Sequence, residues 1–124
     1  MNKLKTENCE IDLLLICETF MTTSNVDQCK ITGYNLEYRH RENMAQGGIA
    51  VYINNKLNYV IREDINIFHE GIFESCFVEI VNKSNKNIVI GEIYRVPGTK
   101  ENIFLNEYSK FLQTVNNENN YVGK

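Results

Sequence analysis

The stretch Ile11-Asp12-Leu13-Leu14-Leu15-Ile16-Cys17-Glu18-Thr19 decides the reading of this chain. From Ile11 to Cys17 it is nearly continuous in apolar residues, the pattern of a strand covered on both faces rather than one half open to water. The run ends directly in an acid and a hydroxyl residue. A carboxylate at the carboxy end of a buried strand stands at a sheet edge, where ligands commonly bind. Magnesium keeps most of its waters and takes as few as one or two protein carboxylates, so Glu18 alone is chemically adequate as an anchor. An acid solvated just past a strand is the default for the same residue.

Outward from this stretch the chain alternates between strand-like and polar segments, with no internal repeat and no Pro/Gly/Ser linker. Asn2 to Asn8 reads as the end of a helix. Tyr34, Leu36 and Tyr38 alternate with Asn35, Glu37 and Arg39, as in a half-buried strand. Gly48 to Ile53 is a further apolar strand closed by the turn former Asn54-Asn55, with Asn58 to Arg62 as its expected hairpin partner. Phe73 to Val81 is a longer strand, with Phe73, Ser75, Phe77, Glu79 and Val81 on one face. A polar turn, Asn82 to Asn87, leads to Ile88–Tyr94, which Pro97-Gly98 ends. Lys100 to Glu118 is the one clear helix. Phe104, Tyr108, Phe111, Leu112 and Val115 form its apolar stripe, with Thr99 as cap and Glu101 at the positive end of its dipole. Tyr121-Val122 opens another strand.

The chain has 124 residues and a mass of 14.4 kDa, enough for one domain. With 43% hydrophobic and 23% charged residues it is globular, which excludes a disordered tail or a coiled coil. No apolar run approaches the ~20 residues of a spanning helix, so no membrane partner is expected. Nor does an apolar stretch follow the basic start, which argues for an intracellular protein, nuclear or cytoplasmic. The net charge of −3 gives no global basic field, which counts mildly against a nucleic-acid partner but leaves a local patch open. Cys9, Cys17, Cys29 and Cys76 form no C-x-x-C pair and read as reduced thiols.

Two further places carry chemistry. Arg39, His40 and Arg41 cluster before the Gly47-Gly48 pair, and adjacent guanidinium forks match phosphate oxygens. A solvated loop balanced by Glu37 and Glu42 fits the same residues. The double glycine is too short for a phosphate cradle and reads as a turn into the next strand. Tyr94-Arg95-Val96-Pro97 closes a strand with a phenol, a guanidinium and a rigid bend. Tyr94 there is placed either to hydrogen-bond a phosphate or to pack at a sheet rim. No Ser-His-Asp or Cys-His arrangement is exposed by spacing, and His69 and Glu74 read as structural.

The order of these blocks is more specific than any one of them. Leu13 to Thr19, Gly33-Tyr34, the Arg39 to Arg41 loop, Gly47 to Ile53, Glu74 to Ile80 and Ile93 to Pro97 resemble, in sequence, the endonuclease/exonuclease/phosphatase superfamily. Together they look most like the apurinic/apyrimidinic-type endonuclease domain that precedes reverse transcriptase in non-long-terminal-repeat retrotransposons. The resemblance implies an α/β fold, a fragment of a four-layer α/β sandwich with a mixed sheet and a flanking helix. It implies a metal-dependent phosphodiesterase that nicks DNA to prime reverse transcription, with a reverse-transcriptase domain in the same polyprotein. Glu18 inherits the metal ligand, for Mg²⁺ or Mn²⁺, and Tyr94 a place beside the scissile phosphate. Arg39, Arg41 and Arg95 become phosphate contacts. The mechanism would be in-line attack by water, with the metal stabilising charge on the phosphate.

The departures from that pattern bear on activity. The family's first strand with its metal-site Asn, its Gly-Asp-x-Asn block and its Ser-Asp-His block have no counterpart in these residues. The expectation is a single partial domain over residues 1–124, truncated at both ends and inactive by itself, since acid–base catalysis contributes about 10² to 10⁴ in rate. The alternatives are a non-catalytic DNA-binding or interaction remnant, or a member of the superfamily's phosphatase branch.

Overall fold

Antiparallel pairing organises the chain throughout its described length. The strands are β1 (Lys5–Thr6), β2 (Cys9–Glu10), β3 (Leu13–Cys17), β4 (Tyr34–Arg39), β5 (Ile49–Asn54), β6 (Asn58–Ile61), β7 (Phe68–His69), β8 (Phe73–Val81) and β9 (Ile88–Arg95). One helix, α1 (Glu101–Asn117), follows the last of them. The structure, a computed structural model, describes residues 5–6, 9–42 and 47–117. The protein is mainly β, with a three-stranded and a four-stranded antiparallel sheet, and its chain divides into two compact units, Met1–Leu57 and Asn58–Lys124.

In the first unit β5 is central, in the order β3-β5-β4. Leu13 lies opposite Ile53 and Cys17 opposite Ile49 on one side, and Tyr34 opposite Asn54 and Arg39 opposite Ile49 on the other. Ile49, Ala50, Val51 and Ile53 are fully buried. Ala50 and Tyr52 form a core cluster with Met21 and Tyr34, against which Leu14, Ile16, Leu36 and Tyr38 pack. The two buried phenols are satisfied: Tyr34 Oη donates to the Ile11 carbonyl at 2.7 Å and Tyr52 Oη to that of Cys29 at 2.7 Å. Burial pushes the Tyr52 phenol above its usual range, so it stays a donor.

Four expectations are corrected here. The strand covered on both faces is β5, not β3, whose edge position leaves Leu15 and Cys17 exposed. Asn58–Ile61 is not a hairpin partner of β5, because β3 and β4 already occupy both edges of β5; it pairs with β8 instead, Asn58 opposite Val81. The expected mixed sheet is antiparallel in every described pairing. Parallel neighbours need a long crossover, usually a helix, and the only described α-helix comes after the last strand. Lys5–Thr6, expected in a helix, pairs as a strand with Cys9–Glu10. The strand expected at Tyr121-Val122 lies outside the described residues.

In the second unit β8 is the spine, with β6 and β7 along one edge and β9 along the other. Side-chain oxygens shape the β8–β9 turn: Asn87 Oδ1 accepts from the Asn82 amide at 2.9 Å, and Asn82 Oδ1 from the Ser84 amide at 3.1 Å. Helix α1 lies on β8 through aromatic rings. Phe73 meets Phe104 at a centroid distance of 5.3 Å and Phe111 at 6.1 Å, and Phe77 meets Phe111 at 5.1 Å. Gly91, opposite Phe77, leaves room for that ring, since a side chain there would overlap it.

The helical stripe is narrower than its spacing predicts. Phe111 is buried, and Phe104 and Val115 are half-buried, but Leu112 is 42% exposed and Tyr108 36%. Tyr108 reaches Phe73 only at a centroid distance of 6.5 Å and stays at the rim of the ring cluster. Thr99 does not stand at the cap of α1 either: the helix begins at Glu101, the amides of Ile103 and Phe104 go to the Lys100 carbonyl, and the Thr99 hydroxyl donates to the Gly71 carbonyl at 3.1 Å. Glu101 does sit in the first turn.

A buried ion pair closes the other end of β8. Arg62, 4% exposed in its side chain, donates from Nη1 to Glu79 Oε1 at 2.8 Å, and Glu79 is fully buried. Asp64 takes Nε and Nη2 at 2.8 and 2.6 Å, and Asn87 donates to the second oxygen of Glu79 at 2.7 Å. The paired carboxylates raise the Arg62 pKa further, and the guanidinium holds Asp64 below the usual carboxylate range. Removing one member of a buried pair leaves the other charge uncompensated, at a cost of about 3–5 kcal/mol. Arg62→Ala is therefore expected to lower unfolding free energy by about that amount in urea titrations, whereas Asp64→Asn, at a partner 45% exposed, costs about 1 kcal/mol or less.

His69 on β7 holds α1 through Glu107, its Nδ1 2.9 Å from one carboxylate oxygen, while Lys110 of the same helix lies with its Nζ 3.1 Å from the other. These bonds, that of His69 first, hold the Glu107 carboxyl below its ordinary range. A depressed folded-state pKa stabilises above the unfolded value and is lost as pH falls through the folded one. Melting temperatures of the wild type and Glu107→Gln are thus expected to differ near neutral pH and to converge below the ordinary glutamate range; parallel curves would contradict it.

Candidate functional site

Glu18 stands one residue beyond β3, exposed, with φ +53, and Phe20 has φ +58. Non-glycine residues in this left-handed region cost roughly 1–2 kcal/mol each and persist only where their surroundings hold them. The holding groups are the carbonyls of two glycines. The Thr19 amide donates to Gly48 O at 3.2 Å and the Phe20 amide to Gly47 O at 2.8 Å. The Thr19 hydroxyl in turn accepts from the Met21 amide at 3.2 Å.

Gly47 and Gly48 have φ of +80 and +89. A Cβ on Gly48 would lie 2.9 Å from the Arg39 carbonyl oxygen and 3.0 Å from the Thr19 hydroxyl. At Gly47 it would overlap the Arg41 guanidinium. The double glycine is therefore more than a turn into β5. It is the point where the end of β3, the end of β4 and the start of β5 meet.

Arg39 closes β4 opposite Ile49, and its Nη1 donates to the Tyr38 carbonyl at 3.1 Å. His40 lays its ring against Tyr38 at a centroid distance of 6.0 Å. Arg41 passes over Gly47. Of the five residues singled out by sequence, Glu18, Arg39 and Arg41 are gathered around one joint. Tyr94 and Arg95 belong to the second unit. There Tyr94 is half-buried on β9 opposite Glu74, which is fully buried. Arg95 donates from Nη2 to the Thr99 carbonyl at 2.9 Å and lies 5.8 Å from the centre of the Phe104 ring, tying the end of β9 to the start of α1.

Among the described residues no three His, Cys, Asp or Glu side chains converge as a metal cage. Glu18 offers one exposed carboxylate, which suits a cation that retains its water shell and not one that needs an all-protein site. Among the described side chains Cys17, Cys29 and Cys76 are free thiols.

No family model, curated protein or solved structure matches the chain. Sequence reasoning missed Thr19 and Phe20, because a left-handed backbone at non-glycine residues leaves no local pattern. The signal available was indirect, namely a pair of adjacent glycines directly before an apolar strand. It also missed an open groove of about 640 Å³ lined by Val26, Lys30, Ile31, Asn35 and Leu36.

Gly48→Ala separates the two demands on that glycine. Its positive φ alone costs about 1–2 kcal/mol for any side chain. Gly98, at φ +86 with nothing near its Cβ, carries only that cost. Denaturant titration is expected to show Gly48→Ala more destabilising than Gly98→Ala; equal losses would mean that close approach plays no part.

Proposed function

We propose that these residues are part of a metal-dependent phosphodiesterase of the endonuclease/exonuclease/phosphatase type, a fragment of its four-layer sandwich. When complete it is a DNA endonuclease that nicks target DNA for reverse transcription. The observation that carries the reading is Glu18, exposed and held in a strained conformation at the end of β3, on the same glycine pair that Arg41 crosses. Strain of this kind gathers at functional sites, where it presents a side chain in one orientation.

In this reading Glu18 holds a hydrated Mg²⁺ or Mn²⁺, which supplies charge stabilisation at a phosphate when bound. Arg39 and Arg41 bring cationic donors to the same joint and neutralise phosphate oxygens. For Tyr94 and Arg95, which belong to the second unit, the resemblance in sequence implies a phenolic hydrogen bond and a positive charge toward a phosphate. No Gly-Asp-x-Asn or Ser-Asp-His block occurs in these residues to orient the attacking water. The chain by itself is therefore bound to be inactive or nearly so. The same lack favours a second reading, in which the arginines serve a DNA-binding remnant without catalysis.

Incubated with supercoiled plasmid and Mg²⁺, the 124-residue chain is expected to leave the plasmid unnicked. Nicking that disappears in Glu18→Ala would overturn the inactivity and uphold the metal assignment. Free Mn²⁺ followed by electron paramagnetic resonance is expected to show binding that Glu18→Gln weakens about tenfold or more. Mn²⁺ binding indifferent to Glu18→Gln would sink the phosphodiesterase reading.

A further inference from the structure

Phe20 is 51% exposed, more open than Leu15 at 36%, the other exposed large apolar side chain described in the first unit. A single exposed phenylalanine is ordinary on a protein surface. Its backbone is not ordinary. A bulky residue at φ +58 is a genuine outlier, and the 2.8 Å bond from its amide to the Gly47 carbonyl fixes it there. Met21, the next residue, turns inward and is 6% exposed in the core cluster. The chain thus keeps one apolar side chain of an adjacent pair out of a core that takes the other.

Gly47 receives both the Phe20 amide on its carbonyl and the Arg41 guanidinium over its Cα. Arg39 and His40 lie on the adjoining end of β4. An exposed aromatic side chain on a joint that arginines also reach is the equipment for an unstacked base and its phosphates. A lipid surface would call for several apolar side chains together. A base inside a duplex has both faces stacked and is reached only by wedging the helix apart.

We propose that Phe20 is a stacking contact for an unpaired nucleobase, with Arg41 taking an adjacent phosphate. The inference rests on the nucleic-acid reading above and names the form of DNA that this site prefers.

The test uses fluorescein-labelled oligonucleotides of one sequence, single-stranded and as a duplex, titrated with the full chain and read by anisotropy. Phe20→Ala is expected to weaken single-strand binding roughly tenfold, within the range of base–aromatic stacking, and to leave duplex binding within about twofold. Arg41→Ala is expected to reduce the salt slope by about one. Since the chain has no tryptophan, Phe20→Trp installs a lone reporter whose emission is expected to be quenched as the single strand stacks on it. Phe20→Gly relaxes the left-handed backbone and controls for misfolding in the alanine variant. Binding of DNA with unchanged affinity in Phe20→Ala and unquenched emission in Phe20→Trp overturns the inference while the nucleic-acid reading stands. Absence of binding to either oligonucleotide at low salt overturns both.

Discussion

Two consecutive carbonyls, those of Gly47 and Gly48, accept the amides of Phe20 and Thr19, and the candidate site follows from that pair of bonds. Each bond contributes about 1 kcal/mol net, while the left-handed residues Glu18 and Phe20 cost roughly 1–2 kcal/mol each. The joint is thus close to neutral or unfavourable by itself. It is held by what continues from it: β5 runs directly on from the glycines into the best-buried segment of the first unit. Local strain at Glu18 is offset by apolar burial at Ile49, Val51 and Ile53, so the site and the core of that unit share one strand.

The second unit uses one strand in the same way with different chemistry at its two ends. Phe73 and Phe77 of β8 lie under the rings of α1. Glu79, on the same face further along, is buried against Arg62 instead. Apolar association is tolerant of small shifts, whereas a buried guanidinium–carboxylate pair is directional. The rings bring α1 onto the sheet and the ion pair sets where β6 and the β8–β9 turn must lie. Arg95, singled out by sequence for phosphate, lies between β9 and α1 as a further tie.

The element boundaries were largely legible because they follow from side-chain period. Phe73–Val81 is β8 as read, β9 runs one residue past the expected Tyr94, and α1 begins one residue after the expected Lys100, its expected last residue Glu118 lying outside the described residues. Pairing was less legible. Asn58–Ile61 has the composition of a hairpin partner to β5, yet which edge it joins depends on β3 and β4 having taken both sides of β5, a fact of tertiary structure. Coverage of β3 failed likewise, since Leu13 to Cys17 reads as buried whatever lies beside it. Thr99 has the right residue type for a cap, but the helix begins at Glu101 and leaves Lys100 at that position. At the site, residue type exposed Glu18 and the arginines, while Thr19 and Phe20 became visible only through backbone angles.

The register of the sheets also bears on the order in which they close. In the second unit Ile80 meets Ile88 across one polar turn, and the β8–β9 ladder zips outward from there. Arg39 meets Ile49 over a comparably short span. Leu13 must find Ile53 from the far end of the unit, after β4 has already formed against β5. Loop-closure entropy disfavours distant pairs until nearer ones have shortened the path. The ladder that carries Glu18 to the glycine carbonyls therefore closes over a longer span of chain than the β4–β5 ladder, which ties the site to the more costly of the two pairings of β5.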